Sequence, residues 1–284
     1  MNRLAFSLFV LVLFPALTFA QFEYRSNWRH PPVTFKPYII KLTTPSGLNV
    51  VRDIPLDHLH HHGLMFAIKV DDVNFWEEYN PKDYGRQETT SIAETVTETN
   101  GHSVKKVEST LTWANGVGLP LVQEKRTITA TRIGDANVLD WTSTFTLPPG
   151  KEKAVLGGNE YHGLGMRFVE SMDYGKYFTP TDAGEKVKLQ GVGHLTVCRW
   201  MAYTSKVGDK PVTLALFNTK DNPRPMLVFT MRGDDDEFGY LSATTNLYRE
   251  PITLTSEKPV TFRYKIALWD GEKTVEEVEA IKLE

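Results

Sequence analysis

What most constrains the fold is an alternation of apolar and polar residues with period two, repeated along most of the chain. Val260, Phe262, Tyr264, Ile266 and Leu268 alternate with Thr261, Arg263, Lys265 and Ala267; Leu139, Trp141, Phe145 and Leu147 alternate with Asp140, Thr142, Thr144 and Thr146. Successive side chains of a strand point to opposite faces, so each such segment buries one face and gives the other to solvent or to a second sheet. Asn115-Gly116 and Gly208-Asp209 fall between alternating segments, and their tolerance of positive φ marks them as hairpin turns. Helical pattern is confined to the end, where Thr274 and Glu277 form a capping box with Val275, Val278 and Ile281 along the face behind it. Many strands with almost no helix predict an all-β chain, a large antiparallel β-sandwich with a short C-terminal helix.

Ahead of the alternation, residues 1–20 read MNRLAFSLFVLVLFPALTFA. Arg3 supplies a positive start, Leu4 to Leu17 an apolar stretch and Thr18-Phe19-Ala20 a small-residue cleavage site, the layout of a secretory signal. The expectation is a signal peptide over 1–20, a single β-sandwich domain over 21–284, and a periplasmic or secreted location. No later segment reaches the roughly 18 uninterrupted apolar residues that a membrane helix needs, so no transmembrane segment is expected after the signal. A formal net charge of −3 with dispersed cations offers no basic patch for nucleic acid and no polybasic lipid anchor. Cys198 is the only cysteine, which excludes an intrachain disulfide and suits a small buried apolar residue.

Four of the eight histidines, His58, His60, His61 and His62, fall within five positions just before the apolar run Leu64-Met65-Phe66-Ala67-Ile68. If residues 57 to 68 form a strand, His58, His60 and His62 share a face with Leu64, Phe66 and Ile68, and His61 takes the other. The segment from Gly158 to Phe168 has the same construction: Glu160 and His162 precede Leu164, Met166 and Phe168, while Tyr161, Gly163, Gly165 and Arg167 occupy the opposite face. Two strands that change from ionisable to apolar along one face predict a polar pocket at one end of a hydrophobic core. Glycine at 163 and 165 leaves room there for a ligand or a crossing backbone.

Three readings of this cluster stand side by side. Neutral imidazole and a carboxylate can transfer protons near neutral pH, as chemistry at an anomeric carbon or beside a carbonyl requires. A His-x-His pair completed by His162 and Glu160 can instead chelate a divalent metal. In the third reading the histidines only hydrogen-bond loop backbone. Among weaker features, Phe75-Trp76-Glu77-Glu78-Tyr79 offers an aromatic platform, and Arg199-Trp200 and Asp221-Asn222-Pro223-Arg224 place guanidinium groups near strand ends. The acidic run over 233–237 is read as a solvated turn rather than a calcium loop, and isolated His30, His102 and His194 as structural.

Asp57-His58-Leu59-His60-His61-His62-Gly63-Leu64, followed by Phe66-Ala67 and Val73-Asn74-Phe75-Trp76, resembles the Asp-His-Pro-His-His-Arg-Gly-Leu and Val-Asp-Phe-Trp segments of a bacterial family labelled "methane oxygenase PmoA-like". The similarity continues through Gly85-Arg86, His162-Gly163-Leu164 with Arg167, Arg199-Trp200 with Tyr203, Asn222-Pro223-Arg224, Gly239-Tyr240-Leu241-Ser242 and Asp270-Gly271. Leu59 and His62 depart from the family's Pro and Arg, and Thr219-Lys220 from its His-Pro. A methane-oxidising membrane subunit needs several spanning helices, which this sequence does not encode after residue 20. What the resemblance implies is a secreted β-sandwich found with carbohydrate-degrading systems, similar in architecture to the galactose-mutarotase supersandwich.

The sequence reading is therefore a carbohydrate-active protein that hydrolyses, eliminates or isomerises a glycoside or modified sugar. Its expected catalytic residues are His60, His162 and Glu160; its expected substrate contacts are His58, His61, Trp76, Tyr161, Arg167, Arg199, Asn222 and Arg224. The alternatives are a glycan-binding module without catalysis and a His-ligated enzyme dependent on a divalent metal; no other cofactor is implied.

Overall fold

A computed structural model describes residues 22–27, 35–79, 84–99, 102–182, 187–189, 193–231 and 238–281. The signal segment, His30 and the acidic run over 233–237 lie outside the described residues.

The alternation resolves into three antiparallel sheets. In the first, Phe22–Arg25, Tyr38–Leu42, Leu64–Ala67, Gly163–Arg167, Tyr240–Thr244, Leu227–Met231, Gly193–Val197 and Val187–Lys188 lie side by side in that order. In the second the order is Lys176–Phe178, Trp200–Val207, Lys210–Asn218, Val260–Asp270, Ala136–Thr146, Pro120–Ile133, His102–Ala114 and Arg86–Thr99. A smaller sheet joins Ile252–Thr255, Lys153–Gly157, Lys69–Val70 and Val73–Asn74. The two large sheets pack face to face over one apolar core, a large antiparallel β-sandwich. Phe66 of the first sheet lies 5.9 Å from Phe145 and 5.7 Å from Phe262 of the second, ring centre to ring centre, and burying one such ring is worth about 1.5–3 kcal/mol.

The turns and the helix follow local chemistry. Gly208, at φ 59°, turns Trp200–Val207 into Lys210–Asn218. Between His102–Ala114 and Pro120–Ile133 the left-handed residue is Gly118, at φ 85°, rather than Gly116. Asn115 organises that turn by accepting from the backbone of Val117 and Leu119 at 3.2 and 2.9 Å. The capping box closes at Thr274 and Glu277, and helix Val275–Glu279 sets Val278 on the outer face of the second sheet beside Trp200 and Trp269. No helix among the described residues is long and apolar enough to cross a membrane.

One buried ionic group sits inside the sandwich. Val122, Glu124, Arg126, Ile128 and Ala130 share the buried face of Pro120–Ile133. Arg126 donates from Nε and Nη2 to Glu124 at 2.8 and 2.9 Å, from Nη2 to Gln87 at 3.1 Å and from Nη1 to the Pro37 carbonyl at 3.1 Å. Glu124 also accepts from Trp113 Nε1 and Ser143 Oγ at 2.8 and 2.5 Å. Each guanidinium nitrogen of Arg126 is therefore hydrogen-bonded.

Pairing in the first sheet fixes what each face carries. Phe66 pairs with Leu164, and Leu164 with Ala243; these, with Leu64, Met166 and Leu241, point toward the second sheet. Met65, Gly165, Arg167, Tyr240 and Ser242 point to the opposite, outer face. That outer face carries the candidate site.

Candidate functional site

The strand expected over 57–68 begins only at Leu64. Upstream, His58 N donates to Pro55 O and His61 N to His58 O, at 3.1 and 2.9 Å, so this stretch is a run of turns. Gly63 ends the run at φ 39°, where a Cβ would sit 2.1 Å from the Ile39 carbonyl oxygen. The alternation of His58, His60 and His62 with His61 is therefore lost, and each imidazole is placed separately. Similarly, His162 is turned by a bond from its N–H to Asn159 O at 3.2 Å, and the strand starts after it at Gly163.

His62 is held in a buried line of charge. Its Nδ1 meets Asp53 Oδ1 at 2.8 Å and its Nε2 meets Glu78 Oε2 at 3.0 Å. Lys36 donates to Glu78 Oε1 at 2.5 Å and to the Trp76 carbonyl at 2.7 Å, while Tyr38 donates to Asp53 Oδ2 at 2.7 Å. Burial acts to raise Glu78, but the Lys36 charge and the His62 hydrogen bond outweigh it and hold the carboxyl below its ordinary value. With both ring nitrogens facing carboxylates, His62 braces the loop.

The remaining histidines gather around Trp76 and Tyr240. The turn at Asp71 and Asp72, both at positive φ, reverses the chain from Lys69–Val70 to Val73–Asn74 and delivers Trp76 to the outer face. A Cβ at Gly165 would lie 2.2 Å from the Tyr240 hydroxyl and 2.7 Å from the Trp76 ring, so glycine is what admits both. The space expected above Gly165 is therefore filled by side chains, and that beside Gly163 by the Ala243 carbonyl. His162 lies flat on Trp76, with ring centres 5.2 Å apart and planes 12° apart. His61 stacks on Tyr240 at 5.1 Å and on His58 at 4.6 Å. His60 meets Tyr79 edge-on at 5.3 Å and His61 at 4.7 Å. Arg167 lies 3.6 Å from the centre of the Phe238 ring and donates from Nη2 to Asp57 at 2.7 Å.

What distinguishes this cluster is hydrogen-bonding capacity that the protein leaves unused. Nδ1 of His60 and of His61, both nitrogens of His162, Nε1 of Trp76, Nε and Nη1 of Arg167 and the Tyr240 hydroxyl beside Ser242 are all buried without a partner in bonding geometry. Each such group costs about 1–3 kcal/mol to bury, and folded proteins contain few of them. Burial pushes His60 down to about 3 and His61 and His162 well below the usual imidazole value, so all three are neutral at neutral pH. Burial also lowers Arg167, against the opposing pull of Asp57. Tyr161 donates to Glu77 at 2.9 Å; burial and that carboxylate push its phenol up to about 12, which keeps the proton on oxygen. Exposed Tyr79 and half-buried His58 and Tyr161 form the rim.

Of the residues expected from sequence, His58, His60, His61, Trp76, Tyr161, His162 and Arg167 come together here, and three expectations need correction. Glu160 is half-buried and forms no hydrogen bond to His162; its carboxylate acts on Tyr161 and Tyr248, while the carboxylates at the cluster are Asp53, Asp57, Glu77 and Glu78. Trp76 is fully enclosed and presents an unpartnered N–H rather than an open stacking face; the exposed ring is Tyr79. Arg199 is exposed and paired with Asp182 and Glu279, Asn222 holds the Arg263 backbone at 2.7 Å, and Arg224 is tied to Glu250, so these three are engaged elsewhere. Arg199 lines a separate groove of about 660 Å³ beside the C-terminal helix. Among the described residues no three His, Cys, Asp or Glu side chains are arranged to hold a metal ion. Cys198 is buried, and burial pushes its thiol up to about 12, as suits a packing residue.

The sequence reading assigned no role to Asp53, Lys36, Asp57, Phe238 and Tyr240; two of them carried a signal, Asp57 at the head of the Asp57–Leu64 segment and Tyr240 in Gly239-Tyr240-Leu241-Ser242.

The model of the family of unknown function DUF6807 matches residues 12–282. The chain belongs to this family. No curated protein matches it. Among solved structures, a TPR-domain containing protein from Parabacteroides distasonis aligns over 87% of this chain and 45% of its own, at 10% identity and TM-score 0.42. The chain thus spans less than half the length of that protein. A putative aldose 1-epimerase from Escherichia coli aligns over 62% of this chain and 68% of its own, at 10% identity and TM-score 0.31. At such scores neither likeness carries a functional conclusion, and the sandwich rests on the strand pairings.

Proposed function

We propose that this DUF6807 protein is exported by its N-terminal segment and acts on a sugar or sugar derivative at the outer face of the first sheet, by hydrolysis, elimination or isomerisation. The observation that carries the reading is the gathering of unpartnered buried polar atoms under an aromatic rim. Sugar hydroxyls both donate and accept, and neutral imidazoles, an indole N–H, a guanidinium and a phenol supply the complement, while Tyr79 offers an exposed ring for an apolar sugar face. The resemblance of the His58–Leu64 segment to a family found with carbohydrate-degrading systems supports the same substrate class.

Proton transfer falls to His60, whose neutral ring has a lone pair to accept with. Its affinity for protons is low in the free protein because burial disfavours the cation, and negative charge developing on a bound substrate raises it. Arg167 faces such charge with N–H groups already desolvated. His162, sealed beneath Trp76, serves as a polar floor rather than an exchange point with solvent. On a glycan panel, His60→Ala is expected to keep the fold and lose about 100-fold or more in turnover. Wild-type turnover in both His60→Ala and His162→Ala would remove acid–base chemistry from the site.

The depressed proton affinity of His60 and His162 favours one second reading, a module that binds glycan without transforming it. Calorimetry separates the two. A module returns the glycan unchanged and loses more affinity in Tyr79→Ala, at the exposed ring, than in His60→Ala.

A further inference from the structure

We infer that the ligand of this site carries a carboxylate, as in a hexuronic acid, and that Arg167 receives it; the inference rests on the sugar-binding reading above. The guanidinium of Arg167 is 2% exposed, yet among the described residues its one hydrogen bond is that from Nη2 to Asp57. Nε and Nη1 are buried without an acceptor, and their N–H groups remain charged donors with nothing to receive them. A neutral hydroxyl would satisfy one of them, whereas an anion bonds to both and adds to the compensation that Asp57 gives the buried cation. The carboxylates acting on Arg167 are Asp57 and, through space, Asp173, whose own Oδ1 accepts from Gly239 N at 2.8 Å.

The surroundings select a planar anion on a polar ring. Phe238 covers one face of the guanidinium at 3.6 Å, which leaves contact through the guanidinium edge. A carboxylate is planar and matches that edge. Around it His61, Tyr240 and Trp76 bring unpartnered polar atoms, and the electrostatic influence of Arg167 reaches both His61 and Tyr240. An anion bound there would also lower the cost of protonating the neighbouring imidazoles, linking substrate charge to the proton transfer assigned to His60.

The test is calorimetry, supported by saturation-transfer NMR, on the full chain with galacturonic acid, glucuronic acid, galactose, glucose, glucose 6-phosphate and acetate. The uronic acids are expected to bind at least about tenfold more tightly than their neutral counterparts, the worth of one charge-assisted contact. Arg167→Met should abolish the preference, so that uronic acid binds no more tightly than the neutral sugar measured on the same variant. Because a variant at a buried arginine can fail to fold, Asp57→Asn provides a second arm: it removes the competing carboxylate charge and should tighten uronic acid binding alone. Equal binding of acidic and neutral sugars overturns the carboxylate and leaves the sugar reading standing. Glucose 6-phosphate bound as tightly as the uronic acids also overturns it, in favour of phosphate. Acetate bound as tightly as the uronic acids, with neutral sugars not bound, keeps the carboxylate and removes the sugar; no binding by any probe overturns both.

Discussion

Two arginines of this molecule are almost equally buried and differently served. Arg126, between the sheets, is 0% exposed, and its guanidinium nitrogens bond to Glu124, Gln87 and the Pro37 carbonyl, with Trp141 4.8 Å away across a cation–π contact. Arg167, on the outer face of the first sheet, is 2% exposed and among the described residues its guanidinium bonds to Asp57 alone. Around Arg126, Trp113 Nε1 and Ser143 Oγ also find Glu124; around Arg167, Trp76 Nε1 and the Tyr240 hydroxyl have no partner in bonding geometry. Burial alone therefore does not separate architecture from function. A buried cation whose donors are all satisfied holds the fold, whereas one whose donors converge on others left unsatisfied marks where a ligand completes the bonding.

The contrast breaks most visibly by removing the two carboxylates. Glu124→Ala leaves Arg126, Trp113 and Ser143 without their acceptor inside the core and is expected to cost about 3–5 kcal/mol in denaturant unfolding. Asp57→Asn beside Arg167 keeps an oxygen acceptor at a partly open position and is expected to cost about 1 kcal/mol or less. Equal losses would mean that the two arginines do the same work.

A smaller effect follows from the neutral imidazoles. Burial holds His60 at about 3 and His61 and His162 well below the ordinary imidazole value of 6.5, so the folded protein leaves unbound protons that the unfolded chain takes up. Their contribution is complete above the unfolded value and is lost as pH falls from 6.5 toward the folded values, by about 1.4 kcal/mol per pH unit for each ring. Replacing His162 by Leu removes one of these rings. The slope of unfolding free energy between pH 6 and pH 4 should become shallower by about that amount, and an unchanged slope would mean that His162 is protonated in the folded state.

The sandwich was legible in the sequence because period-two alternation is a local signal: Val260–Asp270 and Ala136–Thr146 are the strands it announced, and Thr274 with Glu277 did cap the one helix. The ion group also left a trace, since Glu124 and Arg126 sit in phase with Val122 and Ile128, and charge in the buried phase of a strand needs a partner. Alternation misled at His58 to His62 because Gly63 adopts a left-handed conformation that stops the strand there. Segments more than a hundred residues apart still met, as His61 meets the Trp76 ring edge-on and His162 stacks on it. Nothing local could show that Asp53 and Glu78 would take both nitrogens of His62, or that Arg199 would turn to Asp182 and Glu279. Those partners are set by which strands become neighbours, and the sequence pattern does not encode strand order.

The most direct test of unused bonding capacity on the outer face is hydrogen exchange of the arginine Nε–H groups, read by nitrogen-15 NMR on the unliganded protein. Arg167 is expected to exchange at least about tenfold faster than Arg126, because exchange requires an N–H free of a protein acceptor. Adding galacturonic acid should slow Arg167 and leave Arg126 as it was. Equal protection of the two groups without ligand would contradict the account, since Arg167 would then already have the partner that the ligand is supposed to supply.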